Sequence, residues 1–300
     1  EHYLPQVLDA TQPVVIALLN LSRDQLDRAK EVAMIAKLWR DTVAGHPNVH
    51  VVANADDPMV TWAAQPALAG AGVTWFSAGQ RWLDDSWVCP ECGSAIARTE
   101  TDWRCTGCAL RRPQPHWTVE DDYVVDQDGT PYEVKLALPG RVNIGNAATA
   151  LAVAVRFGVQ PVDAVRRLAE VTSVAGRYAQ VEREGRLIRL LLAKNPASWL
   201  EAFDMSEQAP TLLSINARGP DGLDTSWLFD VDFSPLRGRP VLITGDRAYD
   251  LAVRLEVNGV PFTHVPTFAE AVTAVPPGRL EVIANYTAFQ DIRAELDRVL

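Results

Sequence analysis

The chain has 300 residues, of which 48% are hydrophobic and 22% are charged, so it is long enough for two globular domains. Its formal net charge of −10 opposes binding to nucleic acid phosphates and to anionic membrane surfaces, and no basic patch overrides this average. The apolar runs are too short to cross a bilayer and no signal-peptide pattern opens the chain, so we expect a cytoplasmic protein without a transmembrane segment.

The first part of the chain alternates short apolar runs with helical patterns, which is typical of a parallel sheet covered by helices. Strands are predicted at 14–19, 49–53 and 73–76, with a helix over 24–43. The composition then shifts to Cys, Trp, Arg and Pro at about 84–116, which indicates an insertion. Beyond it, β-like stretches at 117–125 and 132–138 flank an Asp-Gly turn signal and predict an antiparallel hairpin.

Two helices are predicted next, over about 143–157 and after Pro161, followed by a domain boundary near Gly176. The alternation then restarts, with strands at 188–193, 211–215, 240–244 and 280–284 and helices at about 197–203, 247–257, 269–275 and 289–300. We therefore predict an α/β protein with a first domain over 1–175 and a smaller, Rossmann-like α/β domain over 176–300.

Two cysteine pairs, Cys89/Cys92 and Cys105/Cys108, form C-x₂-C motifs separated by twelve residues. Each pair can form a tight knuckle whose thiolates lie at tetrahedral separation, and the spacing is typical of a zinc ribbon. Four sulfur ligands leave no open coordination position, so we predict a structural Zn²⁺. Unrelated buried or redox-active cysteines are the alternative.

Three polar motifs lie where strand ends or a helix start place ligand-contacting groups. Residues 20–27 follow the first predicted strand, where Ser22 or Asp24 could simply cap the helix. Residues 54–57 (Asn-Ala-Asp-Asp) follow the second strand, where they could be only a polar turn. Asn143 and Asn146 share one face of a helix start, where their amides can contact a nucleotide base or ribose. A helix cap would account for only one of these two asparagines.

Together and in this order, these motifs resemble the Mur ligase family, the ATP-dependent ligases of peptidoglycan precursor synthesis. The matching segments are 24–27, 54–57, 140–146 and 176–177, with Gln25 and Val142 standing where the family carries histidines. The inserted four-cysteine ribbon and the segments 192–197, 221–233, 245–250 and 285–288 are similar to the MurT branch of this family. Members of that branch are ligase-like subunits of lipid II isoglutaminyl synthase.

A phosphate-cradling loop of the G-x-x-G-K-[ST] type is a family feature without a counterpart here, since no Gly-Lys-Ser or Gly-Lys-Thr occurs in the chain. The resemblance therefore implies that the P-loop and an acidic magnesium ligand precede Glu1. It also implies that this chain by itself does not hydrolyse ATP.

The resemblance assigns nucleotide-contacting roles to residues of both domains in the complete protein, with ATP and Mg²⁺ bound. Asn143 and Asn146 are implied to contact the nucleoside, and Arg177 to stabilise the charge of the transferring phosphoryl group. Lys194 and Asn195 are implied to approach the nucleotide from the C-terminal domain. Lys194 could alternatively be a surface lysine at a strand end.

The resemblance also implies a heterodimer with a GatD-type glutamine amidotransferase subunit. Asp230 would reach across the interface and orient the glutaminase histidine, with Asp232 as the fallback. The alternative for Asp230 is a loop carboxylate that caps a turn. Arg218, Asp221 and Asp224 are candidates for the same interface.

The implied reaction is ATP-dependent amidation of the α-carboxylate of D-glutamate in the stem peptide of lipid II, at the membrane surface. Ammonia from glutamine hydrolysis would convert an acyl phosphate to D-isoglutamine. A docking module for the glutaminase without ligase chemistry, or a conventional Mur ligase that adds an amino acid, are the other hypotheses. Nucleic acid binding by the ribbon is disfavoured because the charges of its arms nearly cancel.

Overall fold

The computed structural model of the protein describes residues 2–23, 31–171, 177–206 and 208–298. The Cα positions fall into two compact units, Glu1–Thr172 and Ser173–Leu300. Each unit contains a sheet with helices packed against it, which confirms the predicted α/β class. The Asp-Gln-Leu-Asp motif at 24–27 and the predicted boundary at Gly176 lie outside the described residues.

The elements of the first unit are α1 (Leu4–Thr11), β1 (Val15–Leu18), α2 (Val32–Gly45), β2 (His50–Asn54), α3 (Pro58–Ala64), β3 (Val73–Ser77), β4 (Ile96–Arg98), β5 (Trp103–Cys105), β6 (Trp117–Glu120), β7 (Tyr123–Asp126), β8 (Pro131–Glu133), α4 (Arg141–Arg156) and α5 (Pro161–Leu168). The main sheet has the order β1-β2-β3-β6-β7-β8. Strands β1, β2, β3 and β6 pair in parallel, and every residue of β2 is buried because helices cover both faces of the sheet.

The predicted strand over 117–125 is wrong, because it is divided into β6 and β7 by a turn at Asp121 and Asp122. Asp121 has a φ of 50°, and aspartate tolerates this left-handed conformation better than most residues. The hairpin at the Asp-Gly signal is confirmed: β7 and β8 pair antiparallel around Gly129, whose φ is 83°.

Helices α1 and α3 are absent from the sequence prediction. Both are short, with eight and seven residues, and both have a proline in the first turn. Such helices carry too few turns to show a clear apolar period, and they depend on tertiary packing. All seven residues of α3 are buried.

The elements of the second unit are β9 (Tyr178–Arg183), β10 (Arg186–Leu192), α6 (Pro196–Ser206), β11 (Thr211–Ser214), β12 (Val241–Thr244), α7 (Ala248–Val257), β13 (Thr263–His264), α8 (Phe268–Ala274), β14 (Gly278–Ala284) and α9 (Tyr286–Asp297). The sheet order is β13-β12-β11-β14-β10-β9, and the pairs are parallel except for β9 with β10. Short 3₁₀ turns at Gly219–Asp221, Ser226–Asp230 and Ser234–Leu236 connect β11 to β12.

A buried ion pair joins two neighbouring strands of this second sheet. Arg189 of β10 lies opposite Glu281 of β14, and its Nε donates to the Glu281 carboxylate at 2.8 Å. Glu281 also pairs with Arg279 at 2.8 Å, so its removal would leave two arginines without their carboxylate, and these contacts favour the observed register.

Within the four described ranges, no helix combines the length and the hydrophobicity that crossing a bilayer requires.

Candidate functional site

The four cysteines predicted to bind metal come together in the first unit. The Sγ atoms of Cys89, Cys92, Cys105 and Cys108 all lie within 4.8 Å of one another. The Cys89–Cys108 and Cys92–Cys105 sulfurs are 3.7 and 3.4 Å apart. Tetrahedral coordination at a Zn–S distance of about 2.3 Å places sulfurs about 3.8 Å apart, so this donor set fits one ion of that size.

Local backbone geometry forms the two knuckles of this cluster. The Cys89 N–H donates to the Ser94 carbonyl at 2.8 Å, and the chain can turn back because Gly93 has a φ of 76°. In the second knuckle the Gly107 N–H donates to Cys105 Sγ at 3.2 Å. A Cβ at Gly107 would lie 2.1 Å from Ser94 Oγ, so the two knuckles touch where glycine is required.

The thiols of this cluster differ in how readily they ionise. Burial raises the pKa of the Cys89 thiol, whereas hydrogen bonds from Ser94 lower the pKa of the Cys92 thiol to about 6. Four thiolates at these separations would repel one another without a positive charge between them. A divalent ion would therefore stabilise the arrangement that the backbone already forms.

The cysteine insertion (residues 84–116) packs against the first unit rather than standing apart from it. The Trp103 indole N–H donates to the Ala55 carbonyl at 2.9 Å, and Trp103 is buried. Glu91, inside the first knuckle, accepts from the Trp62 indole at 2.5 Å. The apolar residues of the insertion belong to the same hydrophobic cluster as those of α2 and α3.

Asp57, the last residue of the Asn-Ala-Asp-Asp motif, caps α3. Its Oδ1 accepts from the Met59 and Val60 amides, and its Oδ2 accepts from the Leu21 amide at 3.0 Å. The carboxyl group is fully buried, and burial raises its pKa from 3.8 to about 6. Asp57 is therefore the N-terminal cap of α3, a role that the sequence analysis did not assign to it.

Asp56 connects this motif to the residues that follow β3. Its buried carboxylate accepts from the Ser77 hydroxyl and from the Ala78 and Gly79 amides at 2.8–3.1 Å. Arg112, at the end of the cysteine insertion, donates to the same carboxylate through Nε at 2.8 Å. The Arg112 Nη2 also donates to Ser77 Oγ at 2.8 Å.

Asn143 and Asn146 lie together at the start of α4, on one face as predicted. The Asn146 amide donates to Asn143 Oδ1 at 3.4 Å, and the Asn143 amide donates to the Pro139 carbonyl at 2.6 Å. Neither asparagine caps the helix, because Gly140 occupies the N-cap position and no side chain makes a capping hydrogen bond there. An open cleft of about 640 Å³ lies beside this first turn, between α4 and the β8 edge of the sheet.

Three predicted residues of the second unit lie at one end of its sheet. The Arg177 carbonyl accepts from the Leu192 amide at 3.1 Å, which places Arg177 beside the end of β10. Lys194 follows that strand and is exposed. The Asn195 side chain caps α6, because its Oδ1 accepts from the Ser198 amide at 2.9 Å.

The structure separates the two candidate aspartates by local role. Asp232 accepts from both the amide and the hydroxyl of Ser234, at 2.9 and 2.8 Å, so Asp232 is the carboxylate that caps the turn. Asp230 ends the 3₁₀ turn Ser226–Asp230 and is exposed. Phe229 beside it is 75% exposed.

Of the other interface candidates, Asp224 accepts from the amide and the hydroxyl of Ser226 at 2.8 and 2.9 Å, whereas Arg218 and Asp221 belong to a polar network at the carboxyl ends of β11, β12 and β14. Arg218 pairs with Asp246 at 2.8 Å and with Asp291 at 2.6 Å. Asp221 accepts from the amide and the hydroxyl of Thr287. These contacts order the chain between β11 and the 3₁₀ turn at Ser226–Asp230.

The sequence prediction did not include Arg112, Trp103 or Glu91 as residues that connect the insertion to the sheet. Glu91 has no local signal in the sequence, because its side chain is half exposed and its partner Trp62 is 29 residues earlier in the chain. No local pattern in the sequence indicates the contact of Arg112, because its partner Asp56 is 56 residues earlier in the chain.

Comparison with known proteins gives one match to a family model, MurT ligase C-terminal, over residues 192–289. The chain is 26% identical to the Lipid II isoglutaminyl synthase (glutamine-hydrolyzing) subunit MurT of Staphylococcus aureus (strain COL), over 99% of this chain and 73% of that protein.

Two solved structures show the same fold. A pseudomurein peptide ligase type C from Methanothermus fervidus superposes with a TM-score of 0.73 at 15% identity, and MurF ligase from Thermotoga maritima in complex with ADP superposes with a TM-score of 0.59 at 15% identity. Both similarities cover 99% of this chain and 65% of the solved chain. The fold and the family match support the resemblance seen in the motifs: the chain is similar to a MurT subunit over nearly its whole length, and residues 192–289 match the MurT ligase C-terminal family.

Proposed function

We propose that this chain is the ligase subunit of a lipid II isoglutaminyl synthase that functions in peptidoglycan biosynthesis. ATP would phosphorylate the α-carboxylate of D-glutamate in the lipid II stem peptide, and ammonia would displace phosphate to give D-isoglutamine. The observation that carries this proposal is the similarity to a MurT subunit over 99% of the chain. The site would operate in the cytoplasm, at the membrane surface that presents lipid II.

In this proposal the first unit is the nucleotide-binding domain and the second is the domain that contacts the partner. Asn143 and Asn146 would bind the nucleoside, since both side-chain amides lie on one face at the start of α4. Arg177 and Lys194 would approach the phosphates. Asn195 would act indirectly, because its carbonyl oxygen is used to cap α6.

The metal of the cysteine cluster is, in this proposal, a structural Zn²⁺ held by Cys89, Cys92, Cys105 and Cys108. Four sulfurs within 4.8 Å complete a tetrahedral sphere and leave no position for a substrate. Zn²⁺ would supply the positive charge that keeps the four thiolates together.

We propose that the glutaminase partner binds at the 3₁₀ turn Ser226–Asp230. Phe229 and Leu223 are 75% and 71% exposed, and large apolar side chains at such exposure are typical of a protein–protein contact. Asp230 is exposed and lies beside Phe229, so Asp230 is our candidate to orient the histidine of the partner, with Asp232 as the fallback.

The test is a glutamine-hydrolysis and lipid II amidation assay on the co-purified complex. Asp230→Asn should lower glutamine hydrolysis by about 10³-fold or more while the complex still forms, because the histidine loses the carboxylate that fixes its tautomer. Asp232→Asn is the matched control and should keep hydrolysis near the wild-type rate. Unchanged hydrolysis in Asp230→Asn would remove Asp230 from the triad.

Nucleotide binding separates the ligase from a docking module that lacks ligase chemistry. The full-length protein should bind ATP in a calorimetric titration, and Asn143→Ala combined with Asn146→Ala should weaken that binding. If the full-length wild type binds glutaminase but no ATP, the docking-module hypothesis replaces the ligase.

A further inference from the structure

Arg112 connects the cysteine insertion to the nucleotide side of the first unit. Its amide donates to the Trp103 carbonyl at 2.9 Å, and the Cys105 amide donates to the Leu110 carbonyl at 2.8 Å. The backbone of Arg112 is therefore held by the strand that carries one of the four cysteines. Its guanidinium leaves the insertion and reaches Asp56 and Ser77 at 2.8 Å each.

The Asp56 carboxylate, which binds Arg112, also binds the backbone of the residues after β3. It accepts from the amides of Ala78 and Gly79 at 2.9 and 2.8 Å, so these two peptide groups point at a buried negative charge. The side chains of Arg112 and Asp56 are 16% and 9% exposed, so solvent screens the pair weakly. Without Arg112 the carboxylate would keep its amide donors but lose a neutralising cation.

The residues after β3 in turn support the start of α4. A Cβ at Gly145 would lie 2.9 Å from the Ala78 Cβ, which means that α4 packs against Ala78 where only glycine fits. The Arg141 Nε donates to the Ala78 carbonyl at 3.3 Å. The first turn of α4, with Asn143 and Asn146, is thus held in place by Ala78.

We propose that Arg112 is a positioning residue that transmits metal occupancy of the cysteine cluster to the first turn of α4. In this proposal the metal holds the backbone of the second knuckle, and that knuckle holds the backbone of Arg112 in position. Arg112 and Asp56 then hold residues 77–79, which support the asparagine pair of α4. The consequence for nucleotide affinity rests on the proposed function, whereas the consequence for the backbone does not.

The experiment compares Arg112→Gln with Arg111→Gln in the full-length protein bound to its partner. Arg111 is the matched control because it is adjacent, of the same type and exposed. The readouts are metal content per chain, hydrogen exchange of peptides over 77–79 and 140–146, and the Kd for ATP.

Arg112→Gln should retain its metal and show about tenfold faster exchange at 77–79 and at the start of α4, with an ATP Kd about tenfold higher. Arg111→Gln should match the wild type in all three. Removing the metal with a chelator should increase hydrogen exchange in the wild type by the same amount. It should add little in Arg112→Gln, because both changes disrupt the same contacts between the cysteine cluster and Asp56.

The proposal is overturned if metal-loaded Arg112→Gln shows unchanged hydrogen exchange at 77–79 and 140–146. It is also overturned if the chelator increases exchange in Arg112→Gln by as much as it does in the wild type. If Arg112→Gln does not fold, Arg112→Lys decides. Arg112→Lys keeps the positive charge at Asp56 but loses the second contact, to Ser77, so its hydrogen exchange should increase less than that of Arg112→Gln. No increase at all would reject the proposal. If the wild type fails to bind ATP, the proposed function is rejected. The hydrogen-exchange measurements would still test whether Arg112 positions residues 77–79 and the start of α4.

Discussion

Asp56 and Asp57 are adjacent and buried, yet they organise different parts of the first unit. Asp57 caps α3 and also binds the backbone after β1, whereas Asp56 binds the backbone after β3 and the Arg112 side chain. The Asn-Ala-Asp-Asp motif therefore holds three loops at the carboxyl edge of the sheet. These hydrogen bonds satisfy the two carboxyl groups, which explains why two acidic side chains can lie buried at this edge of the sheet.

A pH effect follows from the burial of Asp57. Its pKa rises from 3.8 to about 6 in the folded protein, so the carboxyl group contributes stability at low pH that is lost as the pH rises through about 6. Between pH 5 and 7 the unfolding free energy of the wild type should fall by about 1 kcal/mol relative to Asp57→Asn, which does not titrate. Urea unfolding of both proteins across this range measures the difference, and a constant difference would contradict the burial effect.

Asn195 gives a second prediction, which separates a helix cap from a nucleotide ligand. Asn195→Ala should lower the stability of the second unit by about 1 kcal/mol, and Asn195→Asp should retain most of it because a carboxylate also accepts from the Ser198 amide. Denaturant unfolding measures both. Unchanged stability in Asn195→Ala, together with weaker ATP binding, would make Asn195 a ligand rather than a cap.

At the scale of elements, the carboxyl ends of the parallel strands place the polar groups in both units. In the second unit the chain turns sharply after β12, where Gly245 has a φ of 98°. A Cβ at this position would lie 2.5 Å from the Ile215 carbonyl oxygen, so the turn packs directly on the backbone after β11. This packing holds Asp246 where it meets Arg218.

Gly245→Ala should therefore destabilise the second unit by about 3 kcal/mol, because the substitution adds both a backbone strain and a steric clash. Gly219→Ala is the control, since a Cβ there meets no atom within 4 Å, and it should change stability by less than about 0.5 kcal/mol. Equal effects of the two substitutions in thermal unfolding would show that the close approach is unimportant.

At the scale of the whole molecule, each unit has a hydrophobic core of its own. The cysteine insertion contributes to the core of the first unit, where Trp103, Ile96 and Leu110 pack with residues of α2 and α3. A separate cluster fills the second unit between its sheet and the helices α8 and α9. Metal removal should consequently affect the first core and spare the second.

Calorimetry of the chain should show two unfolding transitions. A chelator should lower the midpoint of one transition by about 10 °C, because the insertion that the metal stabilises is part of that core. Gly245→Ala should lower the midpoint of the other. A single transition that both changes shift equally would mean that the two cores unfold together.

The sequence predicted most of the fold because local patterns determine it. Apolar runs of strand length and helical periods located β1 to β3, α4 and the alternating elements of the second unit, since these patterns report which residues face a core. The prediction failed where a feature is short or depends on one residue, as in the turn at Asp121 and in α3. The four-cysteine cluster could be predicted because the spacing of the cysteines itself encodes the knuckles.

The sequence by itself determined the α/β order, the four-cysteine cluster and the asparagine pair of α4, since each depends on residues close together in the chain. Only the tertiary structure decided that Asp57 is a cap, that Asp232 rather than Asp230 binds Ser234, and that Arg112 meets Asp56. The last contact joins side chains 56 residues apart, and no local pattern specifies a partner at that distance. Folding of the insertion onto the sheet creates it, because burying either charge alone would be unfavourable.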